Sequence, residues 1–184
     1  FTRLEFKGRN IVFILYLSTM MIPITVRLIP SYNLCRNLNM LDTYMGMILP
    51  QVAWSIPFGT FLMRQFYMGI PKQLDEAAKI DGANHFQIFW KILLPNTKSS
   101  MTTLGIYTFI SAWNNLIWML LSVRSESKWT VTLGISSICG ASVIKQPTWN
   151  LIMGVIVIGM IPVLILFFAF QKYFMQSVAA TGIK

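Results

Sequence analysis

The run Gln146–Gln171, QPTWNLIMGVIVIGMIPVLILFFAFQ, holds 26 residues without one Asp, Glu, Lys, Arg or His. At about 1.5 Å per residue, a helix over it exceeds the ~30 Å of a bilayer's hydrocarbon core. Three more runs are of the same kind: Asn10–Val26 (17 residues), Thr43–Met63 (21) and Ser99–Val123 (25). The first reaches membrane length if Leu28 and Ile29 extend it past Arg27. Apolar runs this long satisfy each backbone amide within its own segment, whereas barrel strands would show alternating segments of about ten residues. The pattern predicts an all-α integral membrane protein, a polytopic helical bundle. Its four transmembrane helices are placed at approximately 10–29, 43–63, 100–123 and 148–170, with a loop over 64–98.

Composition supports the same class. Of 184 residues, 55% are hydrophobic and 11% charged, against about 25% charged in an ordinary soluble domain. So few charges cannot clothe a water-facing surface, and the high hydrophobicity excludes a disordered chain. The net charge of +9 is not one patch. Its basic residues lie between the apolar runs, as expected beside anionic lipid, and this argues against nucleic acid as a partner.

Counting Lys and Arg orients the chain. Arg3, Lys7, Arg9, Arg64, Lys72, Lys79, Lys91, Lys98, Lys172 and Lys184 fall on one side, ten in all; Arg27, Arg36, Arg124, Lys128 and Lys145 make five on the other. Both ends and the central loop are therefore expected in the cytoplasm. Trp129–Ile144, 16 charge-free residues studded with Ser and Thr, is expected at the interface, because a fifth span would put the ends on opposite sides. Phe1–Asn10 is too charged and short for a signal peptide, and the chain reads as N-terminally truncated. Cys35 and Cys139 fall on the outer side, where either a disulfide or two free thiols is open.

The loop 64–98 is patterned. Pro71 suits a first helical turn, and Ile70, Leu74, Ala77 and Ala78 form an apolar stripe opposite Lys72, Asp75, Glu76 and Lys79. Gly82 follows as a left-handed stop. Phe86, Phe89, Trp90 and Leu93 form a second stripe, expected to pack under the spans until Pro95 breaks the helix. A helix, a sharp turn and a helix result. Periodicity supports equally a hairpin lying on headgroups and a docking element for a cytoplasmic partner.

These residues carry a resemblance. Glu76-Ala77-Ala78, Asp81-Gly82-Ala83, Phe89, Ile92 and Leu94-Pro95 resemble the EAA loop of the membrane-spanning subunits of binding-protein-dependent ABC importers. The run Glu76–Gly82 (EAAKIDG), Trp113-Asn114-Asn115 with Trp118, and the tail Gln171–Phe174 and Gly182–Lys184 are similar to the carbohydrate branch. Ser99, Ser177 and Thr181 depart from it, standing where that family often has Pro or Gly.

The resemblance implies a fragment of a six-span permease subunit in the bacterial or archaeal inner membrane, its four spans being the third to sixth. It implies a cytoplasmic coupling helix in which Glu76, Ala77, Ala78, Asp81, Gly82 and Pro95 serve a separate ATPase dimer. Further implied partners are a second permease subunit, more often a different chain in this branch, and an extracytoplasmic solute-binding protein that meets the outer loops.

Within the spans polar groups are costly and draw attention to function. Trp113, Asn114 and Asn115 combine amides with an aromatic face that suits a sugar, although amides also bridge neighbouring helices. Gln51, Trp54, Tyr16 and Tyr107 are candidates on the same grounds. Pro23, Pro50, Pro57 and Pro162 are expected to kink spans or to serve static packing. The twelve Met residues lack His or Cys companions and read as core packing, so no metal or cofactor is expected. The single His85 has no nucleophile at a recognisable spacing, and no GxxxxGK[ST] loop is present. The chain is therefore read as a transport subunit, with ATP hydrolysed elsewhere. An ATP-independent channel or secondary transporter and an intramembrane enzyme are the alternatives.

Overall fold

Proline and paired amides set where the long helices start and break. The computed structural model describes residues 1–144 and 149–182, and among them every regular element is helical. Helix α1 (Arg9–Ser18) tightens into a 3-10 turn at Thr19–Met21 and ends before Pro23, whose ψ of 144° is extended. A proline supplies no N–H and disfavours helical geometry in the residue before it. Helix α2 (Ile24–Asn37) therefore starts as a separate helix after Pro23. The stretch expected as a span over 10–29 is thus bent at Pro23, one of the prolines expected to kink a span.

Helix α3 (Tyr44–Met68) runs through Pro50 and Pro57, and a short helical hairpin follows, with α4 (Gln73–Ile80), α5 (His85–Ile88), a π turn at Phe89–Leu93 and α6 (Leu94–Asn96). Next comes a second bent pair. Helices α7 (Lys98–Trp113) and α8 (Leu116–Ser122) meet at 55°. The break is at Asn114–Asn115, where the Asn115 side chain caps α8 by accepting from the Trp118 N–H at 3.3 Å. Helix α9 (Val131–Ile144) takes up most of the stretch expected at the interface, and α10 (Trp149–Gly182) carries Pro162 inside it. Lys145, the first residues of the last charge-free run and the side chains from 172 onward lie outside the described residues.

Among the described residues two helices, α3 and the Trp149–Gln171 part of α10, are long and apolar enough to cross a membrane; the number is four if each bent pair counts as one span. Ile11, Ile14, Leu15, Val157, Ile158 and Ile165 are among the many large apolar side chains left exposed. In water such a surface would aggregate, and in lipid it is the expected exterior.

The chain divides into two compact units. The first takes Phe1–Met21, Ile56–Ile106 and α10 from Phe170; the second takes Ile22–Ser55 and Tyr107–Ala169. The core of the first is Ala78, Ile88 and Leu93 with Tyr67, Ile70, Ala83 and Ile92 around them. That of the second is Cys35, Trp118, Met119, Val123 and Leu133, flanked by Leu28, Met47 and Trp54. Trp118 is 0% exposed and donates its indole N–H to the Gly46 carbonyl at 3.1 Å. Cys35 and Cys139 are free thiols.

Candidate functional site

Helix α4 starts at Gln73, two residues after Pro71, with Asp75 and Glu76 in its first turn and Lys79 in its last, each sign matching the helix dipole. Its end is closed by two backbone bonds. Gly82 N–H donates to Lys79 O at 3.0 Å and Ala83 N–H to Ala78 O at 2.9 Å, the paired capture that satisfies the last carbonyls of a helix ending in a left-handed residue. Gly82 has φ +80°, and a Cβ built there would touch nothing within 4 Å. What the position demands is backbone conformation alone, which glycine adopts without penalty.

A second cap opens α5 immediately afterwards. Asn84 Oδ1 accepts from Gln87 N–H and Gln87 Oε1 accepts from Asn84 N–H, both at 2.8 Å. This reciprocal pair is not among the expected features, although the Asn-x-x-Gln spacing after Gly82 signals it in the sequence. Pro95 does not break the helix as expected. The π turn widens the ladder so that Leu94 N–H reaches Phe89 O, a local adjustment that accommodates a proline downstream. Helical backbone then continues to Asn96, and α7 begins after a buried Thr97 whose hydroxyl donates to Leu93 O and Leu94 O at 3.1 Å.

The covered faces differ from both expected stripes. On α4, Asp75 and Ala78 are buried while Leu74 and Ala77 are exposed. Among Phe86, Phe89, Trp90 and Leu93, only Leu93 is buried, Phe86 is 72% exposed, and Ile88 takes the inward place. The reason lies in Asp75. Its carboxylate pairs with Arg3 at 3.1 Å, so the helix turns a charged residue inward onto a cation from a distant segment. Glu76, Ala77, Asp81, Gly82 and Pro95 thus form the open surface, whereas Ala78 belongs to the core. Beside them a cleft of about 230 Å³ is lined by Arg3, Tyr67, Asp75, Lys79 and His85 among others.

In the second unit two of the five substrate-pathway candidates bond to each other. Asn115 Nδ2 donates to Gln51 Oε1. Trp54, one turn after Gln51, sets its ring edge-to-face with Trp118 at 5.2 Å and 79°, and the Arg27 guanidinium lies 5.6 Å from the Trp54 centroid. Trp113 stacks on Phe109 instead, at 5.6 Å and 22°, and its carbonyl accepts from the Thr132 hydroxyl. Asn114 lies in the α7–α8 break, its N–H donating to Ile110 O at 3.0 Å. Tyr107 is half exposed, and Tyr16 belongs to the first unit.

One residue of this unit gave no signal in the sequence. Asp42, at φ 58°, accepts from the N–H groups of Arg124 and Ser125 at 3.0 Å each and from the Ser125 hydroxyl, and Lys128 Nζ lies 3.5 Å away. The Ser125 hydroxyl bond foremost, then the two backbone donors, hold its carboxyl well below the usual range. Among the described residues no group of three or more His, Cys, Asp or Glu could hold a metal ion.

Comparison with known proteins bears on this geometry. Residues 2–180 match the family model described as binding-protein-dependent transport system inner membrane component. The chain is 34% identical over 180 residues to the arabinooligosaccharides transport system permease protein AraQ of Bacillus subtilis (strain 168), covering 98% of this chain and 62% of the relative. It is 38% identical over 174 residues to the sn-glycerol-3-phosphate transport system permease protein UgpE of Yersinia enterocolitica, covering 94% and 60%. The chain thus spans about three fifths of these relatives. A crystal structure of a bacterial ABC transporter involved in the import of the acidic polysaccharide alginate superposes with a TM-score of 0.77 at 27% identity, over 94% of this chain and 64% of that one.

Proposed function

We propose a role for this chain from the family to which it belongs: it is a binding-protein-dependent transport system inner membrane component, and we read it as a permease subunit of an ATP-binding-cassette importer. On this reading each bent pair is one span, giving four with α3 and α10, and the ten-to-five distribution of Lys and Arg puts both ends and the 64–98 hairpin in the cytoplasm. The pathway is completed by a second permease subunit, a different chain, and solute arrives on an extracytoplasmic binding protein. The solute is a sugar or sugar-like molecule, a class supported by relatives named for arabinooligosaccharide and sn-glycerol-3-phosphate transport. Gln51, Trp54 and Asn115 are the residues we assign to the pathway wall, with Trp113 and Asn114 at its bend.

The hairpin is the coupling element. Glu76, Ala77 and Asp81 present charge and small side chains to a cleft on the ATPase, while Gly82, Ala78 and Pro95 keep the hairpin's shape. Closure of the ATPase dimer on nucleotide moves α4, and the caps on both sides of Gly82 make α5 follow, biasing the spans between inward and outward opening. The observation that carries this proposal is the left-handed Gly82 turn, closed on both sides, within the segment matched to the family.

The test is ATP-driven uptake of an arabinooligosaccharide or a polyol phosphate into vesicles holding the assembled importer. Gly82→Pro forces φ to about −65°, incompatible with +80°, and is expected to leave ATP hydrolysis running while uptake stops. Uptake unchanged by Gly82→Pro, or flux without nucleotide as a channel or secondary transporter would give, would contradict the proposal.

A further inference from the structure

Four contacts in the first unit lead from the hairpin to α1 and α3. Asp75 of α4 meets Arg3 Nε at 3.1 Å, both side chains being mostly buried at 12% and 15% exposed. Arg3 Nη2 also donates to Ile70 O at 2.8 Å, in the turn that leads into α4. Two residues earlier, the Phe1 ring packs on Phe13 of α1 with centroids 5.3 Å apart. Over that same Phe13 ring, 4.5 Å from its centroid, lies the guanidinium of Arg64 on α3.

We propose that Arg3 and Asp75 are positioning residues that lock α4 to the segment ahead of α1, so that displacement of the hairpin is delivered to α1 and α3. The proposal rests on the reading of the hairpin as a coupling element. A carboxylate taken out of water is tolerated where a cation and hydrogen bonds replace the water. Among the described residues Asp75 Oδ1 and Arg3 Nε are both buried without a hydrogen bond, so the 3.1 Å ion pair is what each charge has in place of water there. Such a pair adds little net stability compared with an apolar one and is better suited to fixing register. The aromatic and cation–π contacts then continue the lock into packed side chains, a contiguous route of the kind along which coupling travels.

Coupling along a route needs evidence from paired changes. The assembled importer in vesicles is assayed for ATP hydrolysis and for solute taken up, with Arg3→Glu, Asp75→Arg and the charge-reversed double variant. Each single change is expected to lower uptake per ATP by about tenfold or more, and the double change to recover it to within roughly threefold of the original. A role in folding alone would lower assembly and leave uptake per ATP in the assembled fraction unchanged.

A second measurement holds if the single variants fail to assemble. Arg3→Cys with Asp75→Cys, joined by a short bismaleimide in a Cys35→Ser, Cys139→Ser background, is expected to keep transport, because the two positions move together. Loss of transport on crosslinking overturns the proposal, as do single variants with unaltered uptake per ATP or a double variant no better than the worse single one. Absence of ATP-driven uptake by the unaltered importer is a separate result that overturns the parent reading.

Discussion

The hairpin of residues 70–97 and the Asp42 junction hold their chains by opposite means. In the hairpin every cap closes over three to five residues: Gly82 to Lys79, Ala83 to Ala78, Asn84 to Gln87, Leu94 to Phe89. At the junction one carboxylate gathers donors 82 and 83 positions away, and the Lys128 ammonium donates to the Asp42 carbonyl from 86 away. Local closure gives the hairpin a shape of its own, suited to an element that is gripped and moved. Long-range closure pins the start of α3 to the end of α8 and makes that region dependent on its whole unit being folded.

The largest effect should come from breaking the junction side. Gly46, in the first turn of α3, sits so close to the preceding loop that a Cβ would stand 2.0 Å from Met40 O. Gly46→Val must push that backbone aside and displace the carbonyl that holds the Trp118 indole. A loss above about 3 kcal/mol is expected, beyond ordinary overpacking because the obstruction is main chain. Yield of folded protein and melting temperature in detergent check it.

Asp42→Asn is next. Because the folded carboxyl titrates below its unfolded value of 3.8, the stability it contributes is present above that value and is lost as pH falls towards the folded one. The melting temperatures of the parent and Asp42→Asn should differ clearly near neutral pH, and the gap should begin to shrink only once the pH falls below about 4, narrowing further with each step towards stronger acid. A gap that stays constant with pH would assign the effect to geometry instead of charge.

The hairpin should respond more gently. Gly82→Ala puts a side chain at φ +80°, costing about 1–2 kcal/mol with no steric clash, and is expected to reduce uptake while Gly82→Pro abolishes it. Asn84→Ala removes one half of a reciprocal cap, about 1 kcal/mol. Amide exchange should quicken in α5 and leave the Asp42 junction untouched. Faster exchange at both places would join what the bonding pattern separates.

The same contrast explains what the sequence disclosed. Charge-free runs place the long helices because bilayer thickness is a fixed external ruler, and Gly82 with its flanking stripes announces a helical hairpin because caps are local. Faces are another matter. The α4 stripe says that Leu74, Ala77 and Ala78 share a side; which side is covered depends on Arg3, 72 positions from Asp75, and periodicity carries no record of it. Pro23 and Pro95 show the limit of single-residue rules: the first separates two helices, and the second is absorbed by a π turn. Asn115 served as a cap as well as a partner for Gln51, so its mid-span amide had a structural role that composition could not separate from a pathway role.

The central claim is that the open face of α4 is held by a nucleotide-hydrolysing partner. It is tested most directly by placing a photo-crosslinking side chain at Ala77, which is exposed, and in parallel at Ala78, which is 7% exposed and inside the hairpin core. In the assembled importer, irradiation should join position 77 to the ATPase and position 78 to the hairpin's own neighbours. An Ala77 probe that never captures the ATPase, in any nucleotide state, would contradict the account.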